Sequence, residues 1–220
     1  MSKKLILLLV ALLVALVPLV PTGTARAEGG AQPSAKAVLR NPQDVQRIEL
    51  PVEVQMQDLG NDRHIVTYIT QIPRRYLIAS GNSKTVSKFD PSYSARLTLQ
   101  QVYWEKWVGG YRTVAVDYYA GMWELFDGSV SMRDAYMQAM CYGHWADKPG
   151  FCNLTELRWV GYPSLGVWYF QYPSWAGQYL RITEFEYQEG RIDVTLSRGG
   201  STWQFGFCVS QGGGAVIGCD

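Results

Sequence analysis

Histidine is scarce in this chain, and its scarcity argues against a hydrolytic triad. The 220 residues contain two histidines, His64 and His144. A hydrolytic triad needs a histidine placed between a nucleophile and a carboxylate. No G-x-S-x-G elbow is present to supply the serine, and the segment GYPSLG at 161–166 has the wrong spacing. We therefore expect no hydrolytic triad.

Motifs that bind metals and phosphates are missing as well. The sequence contains neither an H-E-x-x-H pair nor a D-x-D-x-D loop, and a C-x₁₀-C interval matches no zinc spacing. The glycine run at 212–214 neither follows a Rossmann-type strand nor opens a helix, so it does not predict a phosphate cradle. The sequence predicts no metal site and no cofactor.

A strong charge of either sign is also absent. Removing Lys3, Lys4 and Arg26 from the 20 basic residues leaves 17, which against 19 acidic residues gives the mature chain a net charge of −2. No block rich in lysine and arginine occurs. Because no strong positive field would attract a polyanion, we expect no nucleic-acid partner and no binding to an anionic membrane.

A long apolar run occurs only at the N-terminus. It covers residues 5–20 with a break at Pro18, follows two lysines, and leads to the small-residue site Ala25-Arg26-Ala27. This order is typical of a secretory signal peptide, and the run is shorter than the roughly 20 apolar residues of a spanning helix. A retained membrane anchor is the alternative. We predict a signal peptide over 1–27, a mature start at Glu28 and a secreted, extracellular protein that does not contact the membrane after cleavage.

The four cysteines agree with export. Cys141, Cys152, Cys208 and Cys219 form two pairs, each with ten intervening residues. Disulfides persist in the oxidising environment outside the cell. We predict two local bridges, Cys141–Cys152 and Cys208–Cys219, each stabilising the fold by roughly 2–3 kcal/mol through restriction of the unfolded chain.

The remaining chain has the period and turn residues of a β protein. Segments near 48–56, 65–70, 92–104, 111–119, 178–188, 191–196 and 203–207 are apolar at alternate positions or rich in β-branched residues, and glycines separate many of them. Short strands with regular turn signals indicate an antiparallel β-sandwich or a flattened barrel. Residues 28–44 are small and polar, which predicts a flexible N-terminal arm before a single β domain over 45–220.

One segment allows two interpretations. Residues 131–141 carry Met132, Ala135, Tyr136 and Ala139 at helical spacing, and Ser131 would cap such a helix. Its position among short strands, with a cysteine at its end, favours a strand instead. Both interpretations stay open here, and we lean to the strand.

A carboxylate pair is the best catalytic candidate. Glu184 and Glu186 lie two residues apart in the predicted strand 178–188, so their side chains would share one face. Two such carboxylates act as nucleophile and acid in glycosidases. Arg181 and Arg191 would neutralise the same pair on an ordinary solvated strand, and that alternative is the simpler one.

The aromatic residues give the best hint of binding. The chain has 14 Tyr and 8 Trp, and Trp168, Phe170 and Tyr172 alternate on one face of a predicted strand, with Trp175 after a proline. Flat rings with polar edges suit sugars and peptides. We predict Trp168, Tyr172 and Trp175 as ligand-binding residues. The alternative is that these rings form core, with Trp175 as its cap.

Three stretches carry a resemblance to known proteins: PSYSARLTL at 91–99, YPSLGVWYFQYPSWAG at 162–177 and IDVTLSRGGSTWQFGF at 192–207. In these stretches the chain resembles small secreted β proteins of Gram-positive bacteria that have no assigned function. The resemblance implies a secreted bacterial protein that is mostly β, and it supplies no catalytic residues.

The sequence thus favours a secreted, non-enzymatic module that binds a ligand or associates with the cell surface. Its expected partner is a cell-wall or extracellular polysaccharide, or a surface protein. A glycosidase-like enzyme using the carboxylate pair is the first alternative, and a purely structural envelope protein is the second.

Overall fold

A computed structural model of the chain describes residues 34–41, 46–73 and 93–212. The predicted signal peptide and Cys219 lie outside these ranges. The described residues form two antiparallel sheets. Sheet A has the order β2 (Gln46–Leu50), β1 (Ser34–Asn41), β12 (Ser201–Gly212), β11 (Tyr187–Arg198), β7 (Ser131–His144), β8 (Phe151–Gly161). Sheet B has the order β10 (Leu180–Arg181), β6 (Tyr111–Leu125), β5 (Tyr93–Val108), β4 (Arg63–Pro73), β3 (Val52–Asp58), and β9 (Trp168–Gln171) also pairs with β6.

The two sheets face each other across one apolar core. Tyr68 and Trp123 of sheet B belong to the same buried cluster as Phe205 and Phe207 of sheet A. The prediction of an antiparallel all-β fold is therefore confirmed, as two sheets rather than a closed barrel. In the part of the chain that the structure describes, no helix has the length and apolar character needed to span a membrane.

Part of the space between the sheets is polar. Arg112 donates from Nη2 to Glu105 Oε2 at 2.8 Å and to Gln211 Oε1 at 3.0 Å. Gln211 Nε2 donates to Gln101 Oε1 at 3.0 Å, and Gln101 Nε2 lies 3.3 Å from the hydroxyl of Tyr119. Because a buried network of this kind requires its partners in fixed places, it sets the position of sheet A against sheet B.

The strands predicted near 92–104 and 111–119 form the hairpin of β5 and β6, but the strand predicted over 48–56 is split. Pro51 lies at the split, with β2 before it in sheet A and β3 after it in sheet B. Proline has no N–H to donate to a ladder, so it belongs at an edge or a break. Both halves are edge strands.

The ambiguous segment 131–141 is a strand within β7. Its helical spacing has a local cause. Asp134 has a positive φ of 53°, and the register with β11 shifts between Asp193 and Thr195. A bulge adds one residue to a strand. Met132 and Ala135 therefore both point into the core although they are three residues apart.

The flexible arm predicted over 28–44 is wrong for residues 34–41. These residues form β1, which pairs with β12 on one side and β2 on the other. Ala37, Val38 and Leu39 are buried. The short apolar run AVL is enough to anchor the strand once two neighbours supply its backbone hydrogen bonds. The other residues of the predicted arm, 28–33 and 42–44, lie outside the described residues.

The predicted bridge between Cys141 and Cys152 is confirmed. It joins neighbouring strands, because Cys141 lies in β7 and Cys152 in β8. The second predicted bridge involves Cys219, which lies outside the described residues, and it stays a prediction.

Candidate functional site

The structure separates the three aromatic residues predicted to bind a ligand. Tyr172 follows β9 and is 63% exposed, and Trp168 opens β9 and is half-buried. Trp175 is only 1% exposed and belongs to the core. A turn closed by hydrogen bonds from Ala176 N to Pro173 O and from Gln178 N to Trp175 O carries this segment. The prediction that Trp175 contacts a ligand at the surface is wrong, because the turn directs its indole inward.

Strand β9 has one face in the core and one in solvent. Tyr169 packs edge-on against Trp123, with ring centroids 5.5 Å apart, and so faces inward. Phe170 lies on the other side and is paired with Ala120 of β6. The outward side of β9 is therefore the side on which Phe170 and Tyr172 meet solvent.

Tyr118 joins these two rings from strand β6. Its ring centroid lies 5.6 Å from that of Phe170 and 5.4 Å from that of Tyr172. We call Tyr118, Phe170 and Tyr172 the aromatic cluster. Burial raises the pKa of the Tyr118 hydroxyl above its ordinary value, and Tyr172 raises it further. The hydroxyl therefore stays protonated, and able to donate, at any physiological pH.

Unbroken alternation along β6 would put Tyr118 on the same face as Val114 and Val116. The register of β5 with β6 shifts between Val102 and Tyr103, and Asp117 is the extra residue. Since a bulge reverses the alternation beyond it, Val116 and Tyr119 point inward while Tyr118 points outward. No residue in this stretch signals the bulge in the sequence.

A row of polar side chains crosses sheet B beside the aromatic cluster. The strand registers align Ala120 of β6 with Gln100 of β5, Thr67 of β4 and Gln55 of β3. These residues alternate with buried neighbours such as Tyr68 and Leu99, so they lie on the outer face. We call Gln100, Thr67 and Gln55 the amide row. The row begins next to Phe170, which pairs with Ala120.

Hydrogen bonds orient the amide row. Gln100 Nε2 donates to Thr67 Oγ1 at 3.0 Å, and Gln55 Nε2 donates to Glu53 Oε1 at 2.8 Å. Each amide retains a carbonyl oxygen and a second N–H. The row thus presents both donors and acceptors at spacings of about 4.8 Å, the distance between strands.

Two arginine–carboxylate pairs flank the aromatic cluster and the amide row. Arg63 Nη2 donates to Asp117 Oδ2 at 2.8 Å, and the Arg63 guanidinium also lies 5.2 Å from the ring of Trp104. Arg96 forms a two-pronged pair with Glu124, with Nη2 2.7 Å from Oε1. These two pairs compensate their own charges, and Glu53 adds a carboxylate at the Gln55 end of the amide row.

A second aromatic surface lies on the outer face of sheet A. Tyr136 of β7 and Trp159 of β8 stack at 6.3 Å with their planes 8° apart, and Trp159 is 61% exposed. Farther along, Tyr142 contacts Phe151 at 4.9 Å and Tyr187 at 5.8 Å. We call these five residues the sheet A aromatic surface. Its rings mainly contact one another.

The carboxylate pair predicted for catalysis does not exist as a pair on one strand. The strand predicted over 178–188 is wrong, since β10 ends at Arg181 in sheet B and β11 begins at Tyr187 in sheet A. Thr183 Oγ1 accepts hydrogen bonds from the backbone N–H groups of Phe185 and Glu186. A threonine side chain that bonds to the backbone in this way supports a turn instead of a ladder.

Each glutamate also has a different environment. Glu184 is exposed in the bend. Glu186 Oε1 accepts from the backbone N of His144 at 2.9 Å and lies 2.6 Å from His144 Nδ1. Glu186 therefore links the connection between β10 and β11 to the end of β7. The predicted neutralising arginines contact other groups: Arg181 lies 4.8 Å from the ring of Tyr111, and Arg191 pairs with Asp193.

Metal ligands do not gather in the described ranges, where no three His, Cys, Asp or Glu residues are placed to hold an ion. No protein-family model, no curated protein and no solved structure matches this chain.

Proposed function

We propose that this protein is a secreted, non-enzymatic module that binds a polysaccharide on the outer face of sheet B. The observation that supports this most directly is the position of the aromatic cluster at the end of the amide row, on one face of one sheet. Sugar rings have apolar C–H faces and polar hydroxyl edges. They therefore need flat rings beside hydrogen-bonding groups.

The aromatic cluster suits the stacking part of this interaction. Tyr172 is the most exposed of the three rings, and Phe170 lies beside it with its plane 21° away and its centroid 6.5 Å distant. Tyr118, on the neighbouring strand β6, contacts both rings. Rings held in this way lose little freedom when a ligand arrives, because they are already ordered by their neighbours.

The amide row suits the polar part. Glutamine offers a donor and an acceptor from one side chain, and Thr67 adds a hydroxyl. All three residues stand on paired strands, so their spacing is fixed by the sheet and not by a loop. A chain of sugars that crosses the strands would meet the aromatic cluster first and then one polar side chain for each strand.

Export agrees with such a ligand. The predicted signal peptide directs the chain outside the cell, where structural polysaccharides occur, and the Cys141–Cys152 bridge is consistent with an oxidising compartment. The placement of Glu184 and Glu186 in separate environments gives no support to a glycosidase. We therefore propose that the protein binds polysaccharide without hydrolysing it.

The test is sedimentation of the oxidised mature chain, residues 28–220, with insoluble cellulose, chitin and purified bacterial cell walls. We expect saturable binding to at least one of these. Tyr172→Ala should weaken it by roughly 30-fold, because truncating a central aromatic residue of a binding surface costs about 2 kcal/mol. Trp159→Ala is the matched control, since this ring is equally exposed but lies on sheet A.

Two results would overturn the proposal. One is the absence of saturable binding to all three polysaccharides. The other is binding that Tyr172→Ala leaves unchanged, or that Trp159→Ala weakens as much. Release of reducing sugar by the purified chain would contradict the non-enzymatic part.

A further inference from the structure

Strand β3 is an edge of sheet B. In the described part of the chain it pairs with β4 along its whole length and has no strand on its other side. Such an edge presents a row of backbone N–H and C=O groups that another extended strand can pair with. The chemistry of this edge therefore selects a β-strand as its partner.

The opposite edge of the sandwich shows what a protected edge looks like. Strand β8 ends sheet A, and Gln171 Nε2 donates to the backbone oxygen of Glu156 in that strand at 2.8 Å. The backbone N of Ser174 also lies 3.1 Å from both carboxylate oxygens of Glu156. The last residue of β9 and the segment after it therefore cover this edge in the middle of β8.

Strand β3 has none of these protections. Its sequence VEVQMQD contains no lysine and no proline, and its register with β4 runs without a bulge from Val52 to Asp58. Its two charges, Glu53 and Asp58, stand near the ends. Native edges usually carry lysine, proline or a bulge at such positions to prevent pairing.

The inner side of β3 is apolar and uncovered. Val54 is 50% exposed and Met56 is 57% exposed. They pair with Tyr68 and Val66, which are fully buried, so they point to the core side of the sheet. The apolar layer between the sheets thus extends to this edge, where sheet A does not shield these two side chains from solvent.

We propose that β3 pairs with β3 of a second copy of this chain, antiparallel, around a two-fold axis at Gln55. This register pairs all seven residues of the strand. It places Val54 opposite Met56 of the second copy, so that each exposed apolar side chain gains an apolar neighbour. It places Glu53 opposite Gln57 of the second copy, and no two like charges stand face to face.

The two-fold axis at Gln55 has a consequence for the outer face. Gln55 is the last residue of the amide row, so pairing at this residue joins the two rows end to end. One continuous outer face would then carry an aromatic cluster at each end, about 40 Å apart at the usual strand spacing. This consequence rests on the proposed function, whereas the dimer itself does not.

The mass of the dimer and the register of its two β3 strands are tested separately from sugar binding. Light scattering after size-exclusion chromatography should give twice the mass of one chain for residues 28–220. Val54→Lys should give a monomer, because it puts a charge against Met56 of the second copy; it should fold normally, because Val54 is half-exposed in a single copy. Under mild oxidation Gln55→Cys should cross-link to itself across the axis, while the matched control Gln57→Cys, which faces Glu53, should not.

A mass of one chain at every concentration would overturn the dimer, and so would equal cross-linking of Gln55→Cys and Gln57→Cys. If the dimer forms, Val54→Lys should weaken binding to the insoluble polysaccharide by roughly a hundredfold. The variant would bind through the outer face of one chain, whereas the dimer binds through two linked faces. A dimer that binds no polysaccharide would refute the proposed function alone. A monomer whose polysaccharide binding depends on Tyr172 would refute the dimer alone.

Discussion

The outer faces of the two sheets carry the same kinds of aromatic residue in different surroundings. On sheet A, Tyr136 stacks on Trp159, and the Arg191–Asp193 pair lies beneath, with the guanidinium 5.9 Å from the Tyr136 ring. Burial raises the pKa of Asp193 although Arg191 opposes the shift. On sheet B the aromatic cluster ends beside the amide row. We place the proposed sugar site on sheet B because the polar groups beside its rings are neutral amides, whereas those beside Tyr136 include the charged Arg191–Asp193 pair.

The largest effect on stability should come from Gly190→Ala, which introduces a steric clash between the two sheets. Gly190 lies on the inner side of β11, and a Cβ there would stand 2.2 Å from Cδ1 of the buried Tyr119 ring. Overpacking of a core costs about 1–3 kcal/mol and sometimes more, and this contact is with a rigid ring held by Gln101. We expect a loss of about 3 kcal/mol in the free energy of unfolding, measured by urea denaturation.

Gly128→Ala is the control for that substitution. A Cβ at Gly128 meets nothing within 4 Å, so its effect on stability should be small. Equal losses for the two variants would contradict the close approach of sheet A to Tyr119. Because both outer faces depend on the same packed interior, Gly190→Ala should also weaken polysaccharide binding when the folded fraction falls.

Removal of the Cys141–Cys152 bridge should lower the free energy of unfolding without changing the outer face of sheet B. The bridge spans 11 residues in sequence, and a loop of that size stabilises a fold by about 2–3 kcal/mol. The double variant Cys141→Ala/Cys152→Ala should lose this amount in urea denaturation. Its folded form should bind polysaccharide as the unchanged chain does, because the aromatic cluster and the amide row lie on sheet B. Weaker binding at full folding would show that the two faces are coupled.

The sequence predicts those parts of the fold in which alternation is unbroken. The hairpins β5–β6 and β11–β12 follow from period-two patterns on either side of paired glycines. Prediction from the sequence fails where a bulge or a side-chain hydrogen bond to the backbone changes the direction of the chain. Asp134 makes part of β7 resemble a helix, and Thr183 turns a segment whose alternation predicts one strand.

The site could be predicted only in part, for a related reason. Tyr172 is visible from alternation in one strand, and its exposure agrees with a binding role. The amide row is not visible, because Gln100, Thr67 and Gln55 are brought together only by the registers of three strands. Trp175 has the same residue type and the same neighbourhood in sequence as Trp168, yet a turn closed at Pro173 buries it.

The smallest expected effect is on polysaccharide affinity, and it tests whether the amide row contributes more than other polar residues of the same face. Gln100→Ala removes one amide and leaves the aromatic cluster intact, so it should weaken polysaccharide binding about fivefold, as the loss of roughly 1 kcal/mol from one neutral hydrogen bond predicts. Gln71→Ala is the matched control, because Gln71 stands on the same face but pairs with Arg96, outside the row. Sedimentation isotherms resolve a fivefold change. If both substitutions weaken binding alike, the polar contribution is spread over the whole face; if neither does, the ligand is held by the aromatic rings alone and the amide row has no part in binding.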